Sequence, residues 1–229
     1  MHPLDNVIWQ ALTTRQADFA EGHGNARRFV REVTSLCAFS EPSDEGYAAL
    51  AELVGEEGTA AVFLDEPYAP GPGWEYIGGA ALLEMVCENG AGHAPSTNSH
   101  AEIVELGAAD SPEMVELTAL TKPGPFGTRT HELGYYVGIR NAGKLVAMAG
   151  ERLKVPGYTE VSAVCTHPDH LGKGYAAALM LEVMRGIRAR RETPCLHVRS
   201  DNARAISIYE RLGFRRRVEG YYAILRRAA

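Results

Sequence analysis

Two glycines separated by one residue, Gly172 and Gly174, have the spacing that most clearly indicates chemistry in this chain of 229 residues. They follow an apolar segment that ends at Val164, Cys165 and Thr166, and they precede a segment with helical periodicity. Glycine lets the backbone approach a ligand closely, and a helix N-terminus offers free N–H groups and the positive end of a dipole. The segment therefore predicts a binding site for a phosphate group.

Several kinds of protein contain a glycine turn before a helix. A dinucleotide-binding fold requires GxGxxG and an acidic residue at the end of the next strand. Residues 172–177 read Gly-Lys-Gly-Tyr-Ala-Ala instead, and no acidic residue ends the apolar segment 195–198. A P-loop requires GxxxxGK followed by Ser or Thr, which the chain lacks. A glycine pair with a purely structural role is equally compatible with these residues alone.

The elements that must position this turn alternate between strands and helices. Strand patterns are predicted at 101–106, 135–140, 145–153, 158–166 and 195–198, with closing strands at Phe214 and 221–225. Helix patterns are predicted from the cap at 110–113, at 174–190, and from Asp201-Asn202 to Leu212, where Gly213 ends the helix. This order is typical of an α/β domain.

The N-terminal residues are predicted to form an α+β region. Helices are expected at 7–21 and 44–55, and strands at 29–39, 59–64 and 76–86. The same order of strand, helix, strand and strand recurs over 101–153, so a duplicated half and an unrelated extension both fit. We predict a region at 1–90, a linker at 91–99 within a stretch rich in Gly, Pro, Ser and Asn, and a second domain at 100–229.

Two segments together resemble the GNAT (Gcn-related N-acetyltransferase) superfamily. Residues 171–176, Leu-Gly-Lys-Gly-Tyr-Ala, resemble its acyl-CoA-binding motif, in which Gln or Arg precedes two residues, Gly, one residue, and Gly or Ala. Residues 202–214 resemble its helix with Asn, Ala, Tyr and Gly-Phe. The resemblance covers about residues 101–229. The sequence at 164–168 and 174–176 is most similar to the glycine N-acyltransferase-like branch. Leu171 departs from the pattern because it stands where the family has a polar side chain.

The resemblance implies an α/β fold with a mixed central sheet in which two parallel strands splay apart into a V. The pantetheine arm of acetyl-CoA, the expected cosubstrate, would enter the gap, and the glycine turn would hold its pyrophosphate. By resemblance, the residues expected to bind it are Val164, Cys165, Thr166, Leu171, Gly172, Lys173, Gly174, Tyr175, Ala176 and Asn202. Asn202 could equally cap its own helix.

Acyl transfer to an amine needs a group that accepts a proton and a group that donates one. Tyr209 matches the family's general acid, and a tyrosine hydroxyl stays protonated at neutral pH. Glu160, which lies 11 positions before Leu171, matches the base of some family members. A solvated strand-end carboxylate explains Glu160 equally well. Glu151, His167 and a water chain are alternative bases.

Composition excludes several other classes. The formal net charge of −6 offers no general basic surface for nucleic acid. No apolar run is long enough to span a membrane, and the chain start shows no signal peptide, so the cytoplasm is the expected compartment. The four cysteines form no CxxC pair, so no metal site is predicted.

The predicted function is therefore an acyl-CoA-dependent N-acyltransferase with one CoA site. Acetyl would pass from acetyl-CoA to a primary amine by direct attack in a ternary complex. The alternative is a catalytically degenerate acyl-CoA-binding regulatory module, and a second rival is a nucleotide-binding Rossmann protein. The acceptor, a small molecule or a peptide, and the choice between monomer and homodimer are left open by these residues.

Overall fold

A computed structural model describes residues 2–68, 73–88 and 101–228. The linker predicted at 91–99 therefore lies outside the described residues. The α-helices of the described residues are α1 (Val7–Thr13), α2 (Asp44–Val54), α3 (Ser111–Thr121), α4 (Tyr175–Ala189) and α5 (Ala203–Arg211). The strands are β1 (Ala20–Glu21), β2 (Ala26–Phe29), β3 (Cys37–Phe39), β4 (Thr59–Leu64), β5 (Trp74–Val86), β6 (Ile103–Leu106), β7 (Tyr136–Asn141), β8 (Lys144–Val155), β9 (Tyr158–Thr166), β10 (Thr193–Arg199) and β11 (Arg215–Arg227).

Eight strands form one mixed sheet in the order β4-β11-β5-β10-β9-β8-β7-β6, and β1-β2-β3 form a small second sheet. β9 and β10 pair in parallel, and the other named pairs of the large sheet are antiparallel. β5 lies between β10 and β11, so residues from the predicted N-terminal region complete the sheet of the predicted second domain. The division at 91–99 itself stays a prediction.

The V-shaped opening is present between β9 and β10. Their ladder holds three residue pairs and ends at Glu160 opposite Cys195. Beyond that point β9 continues to Thr166, whereas β10 pairs on its other side with β5 as far as Arg199 opposite Leu82. The facing edges of β9 and β10 are therefore unpaired in the widening gap, which confirms the sheet geometry expected from the resemblance.

α4 packs on one face of the sheet and holds the glycine turn at the end of β9. Its apolar stripe includes Leu179, Met180, Val183 and Met184, all 0% exposed, in one core cluster with strand residues such as Val161. The sequence predicted this helix from Ala178, Leu181, Met184 and Ile187, because positions three and four apart share a face; Met184 and Ile187 are fully buried, whereas Ala178 and Leu181 are only partly buried. α1 and α3 pack on the opposite face, where two further core clusters lie.

Two predictions for the N-terminal residues are wrong. The helix expected at 7–21 ends at Thr13, because Gln16 is buried and its side chain bonds the backbone of Arg152 and Lys154 in β8. The strand expected at 29–39 is instead two antiparallel strands, β2 and β3. In the first case a tertiary contact overrides the local pattern, and in the second the backbone turns after Val30, so that two short strands pair with each other.

None of the helices in the three described ranges is long and apolar enough to cross a membrane.

Candidate active site

The turn between β9 and α4 forms an open cradle of backbone N–H groups. Gly172 and Gly174 have φ angles of 79° and 77°, in the left-handed region that favours glycine. A Cβ on either residue would meet no protein atom within 4 Å. Within the described residues, the amides of Gly172, Lys173 and Gly174 donate to no acceptor. The first amides of α4 lack intrahelical acceptors as well, so the turn has the donors that a pyrophosphate requires.

The end of β9 lines the opening. A bulge interrupts its pairing with β8, since the register passes from Gly150↔Ser162 to Met148↔Cys165, and Ala163 within it has a φ of 52°. Cys165 points to the α3 face, where burial raises the pKa of its thiol to about 11. A thiol that stays protonated is a poor nucleophile. Cys165 is therefore suited to offer its backbone, not its sulfur, to a ligand.

The remaining predicted binding residues surround the turn. Leu171 is 50% exposed at its start. The ammonium of Lys173 lies 3.3 Å from Nδ1 of His170 on the same surface. Asn202 caps α5, because its Oδ1 accepts a hydrogen bond of 3.1 Å from the amide of Ala205. The predicted bond from Asn202 to the pantetheine arm is not tested by this contact.

Tyr209 lies half-buried on α5. It packs against the same core cluster as Val164 of β9 and Tyr175 of α4. Burial raises the pKa of its phenol to about 12. In the part of the chain that the structure describes, its hydroxyl forms no hydrogen bond. The side chain is therefore protonated at neutral pH and free to donate, as a general acid must be.

Glu160 lies at the vertex of the opening, and its side chain is 1% exposed. Its carboxylate accepts two hydrogen bonds of 2.7 Å from Arg152 and contacts Nδ1 of His197 at 2.8 Å. Burial alone would raise the pKa of Glu160, but the charge and hydrogen bonds of Arg152 and the contact with His197 hold it well below its usual range. A carboxylate with so low a pKa is a weak base, so this environment opposes the predicted role, which stays untested.

The alternative bases are also engaged. Glu151 is buried and pairs with Lys154 at 2.9 Å and with Arg190 at 2.6 Å. His167 accepts a hydrogen bond of 3.2 Å from the amide of Asp169. Glu151 is therefore held in two ion pairs, one of them with a residue that lies 39 positions later in the chain, and His167 bonds to its own turn.

His197 was missed by sequence reasoning. It lies on β10 two residues beyond Cys195, within the opening, and its side chain is 7% exposed. Its Nδ1 contacts Glu160 and its Nε2 lies 3.4 Å from a carboxylate oxygen of Glu84 on β5. Burial alone would lower the pKa of His197, but the hydrogen bonds and charges of both glutamates outweigh burial and raise it above 6.5. The structure thus places a titratable imidazole where β9 and β10 separate.

A cavity of about 980 Å³ lies on the α1 face of the sheet, and Glu84 and His197 form part of its lining. The described residues contain no group of three or more His, Cys, Asp or Glu side chains arranged to hold a metal ion.

The family follows from comparison with known proteins. A family model described as FR47-like protein matches residues 136–223, from the start of β7 into β11. A crystal structure of a GNAT-family protein from Novosphingobium aromaticivorans is 38% identical, covers all of both chains and superposes with a TM-score of 0.90. This chain belongs to the GNAT family of N-acetyltransferases.

Two further proteins resemble this GNAT acetyltransferase. The N-alpha-acetyltransferase RimI of Mycobacterium tuberculosis is 34% identical over an alignment of 129 residues, and the match covers 50% of this chain and 80% of the relative. A GCN5-related N-acetyltransferase from Kribbella flavida is 15% identical over 98% of this chain and 97% of its own, with a TM-score of 0.65, and shows the fold alone. GNAT acetyltransferases use acetyl-CoA as cosubstrate. Membership of the glycine N-acyltransferase-like branch stays a prediction.

Proposed function

We propose that this GNAT acetyltransferase transfers acetyl from acetyl-CoA to a primary amine by direct attack within a ternary complex. The observation that carries the proposal is the unpaired gap between β9 and β10, which ends in a turn of free N–H groups. Extended backbone edges require partners, and a pantetheine arm can pair with them as a further strand would. The name of the Mycobacterium tuberculosis relative makes a peptide α-amine one candidate acceptor.

Binding is assigned to the backbone more than to side chains. Gly172, Lys173 and Gly174, with Tyr175 and Ala176 of α4, would hold the pyrophosphate through their amides. Because these donors belong to the main chain, the exposed apolar side chain of Leu171 does not remove them. The described N-terminal residues build no second turn of this kind before a helix, so one CoA site is expected.

Proton removal from the amine is assigned to His197. When acetyl-CoA is bound, it supplies a thioester carbon at which the new amide bond forms and from which the thiol leaves. The imidazole takes the proton that the amine loses, while Glu160 holds Nδ1 and thereby directs Nε2 toward Glu84 and the cavity. Glu160 is thus a positioning residue that acts through His197, in place of the base role expected from the sequence.

Proton delivery to the leaving group is assigned to Tyr209. A free thiol has a pKa of about 8.5, so a thiolate leaves more readily when it receives a proton. The phenol of Tyr209 is protonated over the whole neutral range, since burial raises its pKa to about 12.

The experiment that tests this function measures thiol release from acetyl-CoA with a panel of amines that includes peptides with a free N-terminus. Amine-dependent release is the expected result. Stabilisation of the fold by acetyl-CoA with no turnover on any amine would favour the regulatory module instead. Thermal stabilisation by NAD and not by CoA would favour the Rossmann alternative.

Gly174→Val is expected to weaken acetyl-CoA binding by at least about tenfold, because a β-branched side chain at positive φ distorts the cradle and extends into the ligand's space. Isothermal titration calorimetry with acetyl-CoA measures the effect. Gly143→Val is the matched control, since Gly143 in the β7–β8 turn has a φ of 81° and equally open surroundings. Equal affinities for Gly174→Val and the wild-type chain would contradict the assignment.

The pH dependence of kcat/KM reports on His197. A base must be neutral, and the pKa of His197 is raised above 6.5, so kcat/KM is expected to rise with pH through an apparent pKa above that value. His197→Gln should lower kcat by about a hundredfold and abolish this rise of kcat/KM with pH. His23→Gln, at an exposed histidine, should leave the profile unchanged. If kcat/KM of His197→Gln rises with pH as it does in the wild type, His197 is not the group that accepts the proton.

A further inference from the structure

None of the residues to which acetyl-CoA binding is assigned lines the cavity on the α1 face. It lies between the start of α1, the end of β3, β4 and β11, and its volume is about 980 Å³. That volume lies in the range of small-molecule sites, which are concave and carry a few convergent polar groups. The glycine turn does not contribute to its lining. A ligand in this cavity would therefore be a second substrate and not a part of CoA.

The cavity reaches the opening in the sheet. Glu84 on β5 and His197 on β10 belong to its lining, and both side chains are more than nine-tenths buried. His197 in turn contacts Glu160 at the vertex where β9 and β10 separate. The cavity and the acetyl-CoA opening thus meet at one imidazole, which is the arrangement that transfer between two bound substrates requires.

The cavity lining is strongly acidic. Six of its side chains are carboxylates: Asp5, Glu41, Asp65, Glu66, Glu84 and Glu219. Among the described residues, Arg217 is the only Lys or Arg that lines the cavity, and both Asp5 and Glu84 pair with it. Among residues 2–68, 73–88 and 101–228, no ion-pair partner faces Glu41, Asp65, Glu66 or Glu219. An excess of negative charge in a cleft raises the local concentration of cations.

Aromatic rings line the same cavity. Phe39, Tyr47, Phe63, Tyr68 and Tyr221 all contribute to it. The ring of Tyr47 lies 4.9 Å from that of Phe39 and 5.9 Å from that of Tyr68, measured between centroids. Aromatic faces attract ammonium groups through their quadrupoles, and carboxylates attract them by charge. The rings and the carboxylates therefore both favour a ligand that carries an ammonium group.

We infer that this cavity is the acceptor site and that the acceptor is an amine carrying a second positive charge. The inference rests on the proposed function, since the reacting nitrogen is taken to lie at His197. That amine loses a proton to the imidazole and bonds to the acetyl carbon, the C–S bond breaks, and the thiol leaves with a proton from Tyr209. The second ammonium group stays among the rings and the carboxylates that line the cavity.

The test compares three acceptors of similar length but different charge: putrescine, n-butylamine and γ-aminobutyrate. We expect kcat/KM to fall in that order, with putrescine at least about tenfold above γ-aminobutyrate. The double variant Asp65→Asn with Glu66→Gln should reduce this ratio severalfold. Glu56→Gln with Glu57→Gln, an adjacent exposed pair outside the cavity lining, is the matched control and should preserve the ratio.

A second readout is independent of turnover. Putrescine should raise the thermal unfolding midpoint of the wild-type chain more than γ-aminobutyrate does, and the cavity double variant should lose this difference. Thiol release with other amines, but no preference for putrescine and no effect of the cavity double variant, overturns this inference and leaves the proposed function standing. Absence of thiol release with every amine overturns the proposed function itself.

Discussion

Tyr209→Phe is expected to lower kcat by about a hundredfold or more while the affinity for acetyl-CoA stays at the wild-type value. The substitution removes the hydroxyl and keeps the ring, which packs beside Phe214 with centroids 6.2 Å apart. Since the hydroxyl forms no hydrogen bond within the described residues, its loss leaves no protein group unpaired. The expected defect is therefore confined to protonation of the leaving thiol.

Tyr135→Phe is the matched control for this experiment. Tyr135 packs against the same core cluster, is partly buried, and directs its hydroxyl to Glu182. Loss of the Tyr135 hydroxyl should leave kcat unchanged. Steady-state kinetics and calorimetry on both variants separate chemistry from binding. An unchanged kcat in Tyr209→Phe would exclude Tyr209 as the acid, and a parallel loss of acetyl-CoA affinity would indicate a packing role.

Glu160→Gln is expected to lower the free energy of unfolding at neutral pH by about 3–5 kcal/mol, because it leaves a charged partner buried without its counter-ion. Arg152 is the main such partner, since it gives both of its 2.7 Å hydrogen bonds to Glu160 and its own side chain is 8% exposed. Urea denaturation measures the change. Glu210→Gln, which removes one exposed ion pair with Arg216, should have little effect.

The difference in unfolding free energy between wild type and Glu160→Gln should also depend on pH. The folded-state pKa of Glu160 lies below its ordinary value of 4.5, so the unfolded chain binds the proton more readily. Its contribution to stability is therefore complete above that value and is lost as the pH falls through the folded-state pKa. The difference between Glu160→Gln and wild type should shrink in acid. A difference that is small at neutral pH, or independent of pH, would contradict the ion-pair account.

Local patterns predicted most of the elements that build the cradle. The bounds of β9 agree with the sequence prediction, and α4 begins one residue later than expected. These segments combine apolar periodicity with glycine positions whose backbone angles only glycine adopts readily, so short-range information is sufficient. The turn of β7 and β8 was predictable from Asn141 to Lys144, a short segment with a glycine between two strand patterns, and Gly143 has a positive φ there.

The charged network at the vertex was not predictable from spacing. Glu84 and His197 are far apart in the sequence and become direct cross-strand neighbours because β5 pairs with β10. A weak signal did exist, since each is a polar residue between apolar neighbours in a strand pattern. A buried charge in such a strand requires a partner, but the sequence does not say which strand supplies it.

The role expected for Glu160 shows the limit of reasoning from a motif. Position along the strand was sufficient to place Glu160 at the point where β9 and β10 separate. Its basicity, however, depends on Arg152 and His197, which surround it in three dimensions. The pKa of a buried group follows from its neighbours more than from its own residue type.

Transfer of an isotopically labelled acetyl group tests the central claim most directly. The enzyme is incubated with labelled acetyl-CoA and an acceptor amine, and mass spectrometry follows the label in the amine and in the protein. The account predicts label in an amide of the acceptor, in step with thiol release, and none retained on the enzyme. Label held covalently by the protein, or recovered only as acetate, would contradict direct transfer to an amine.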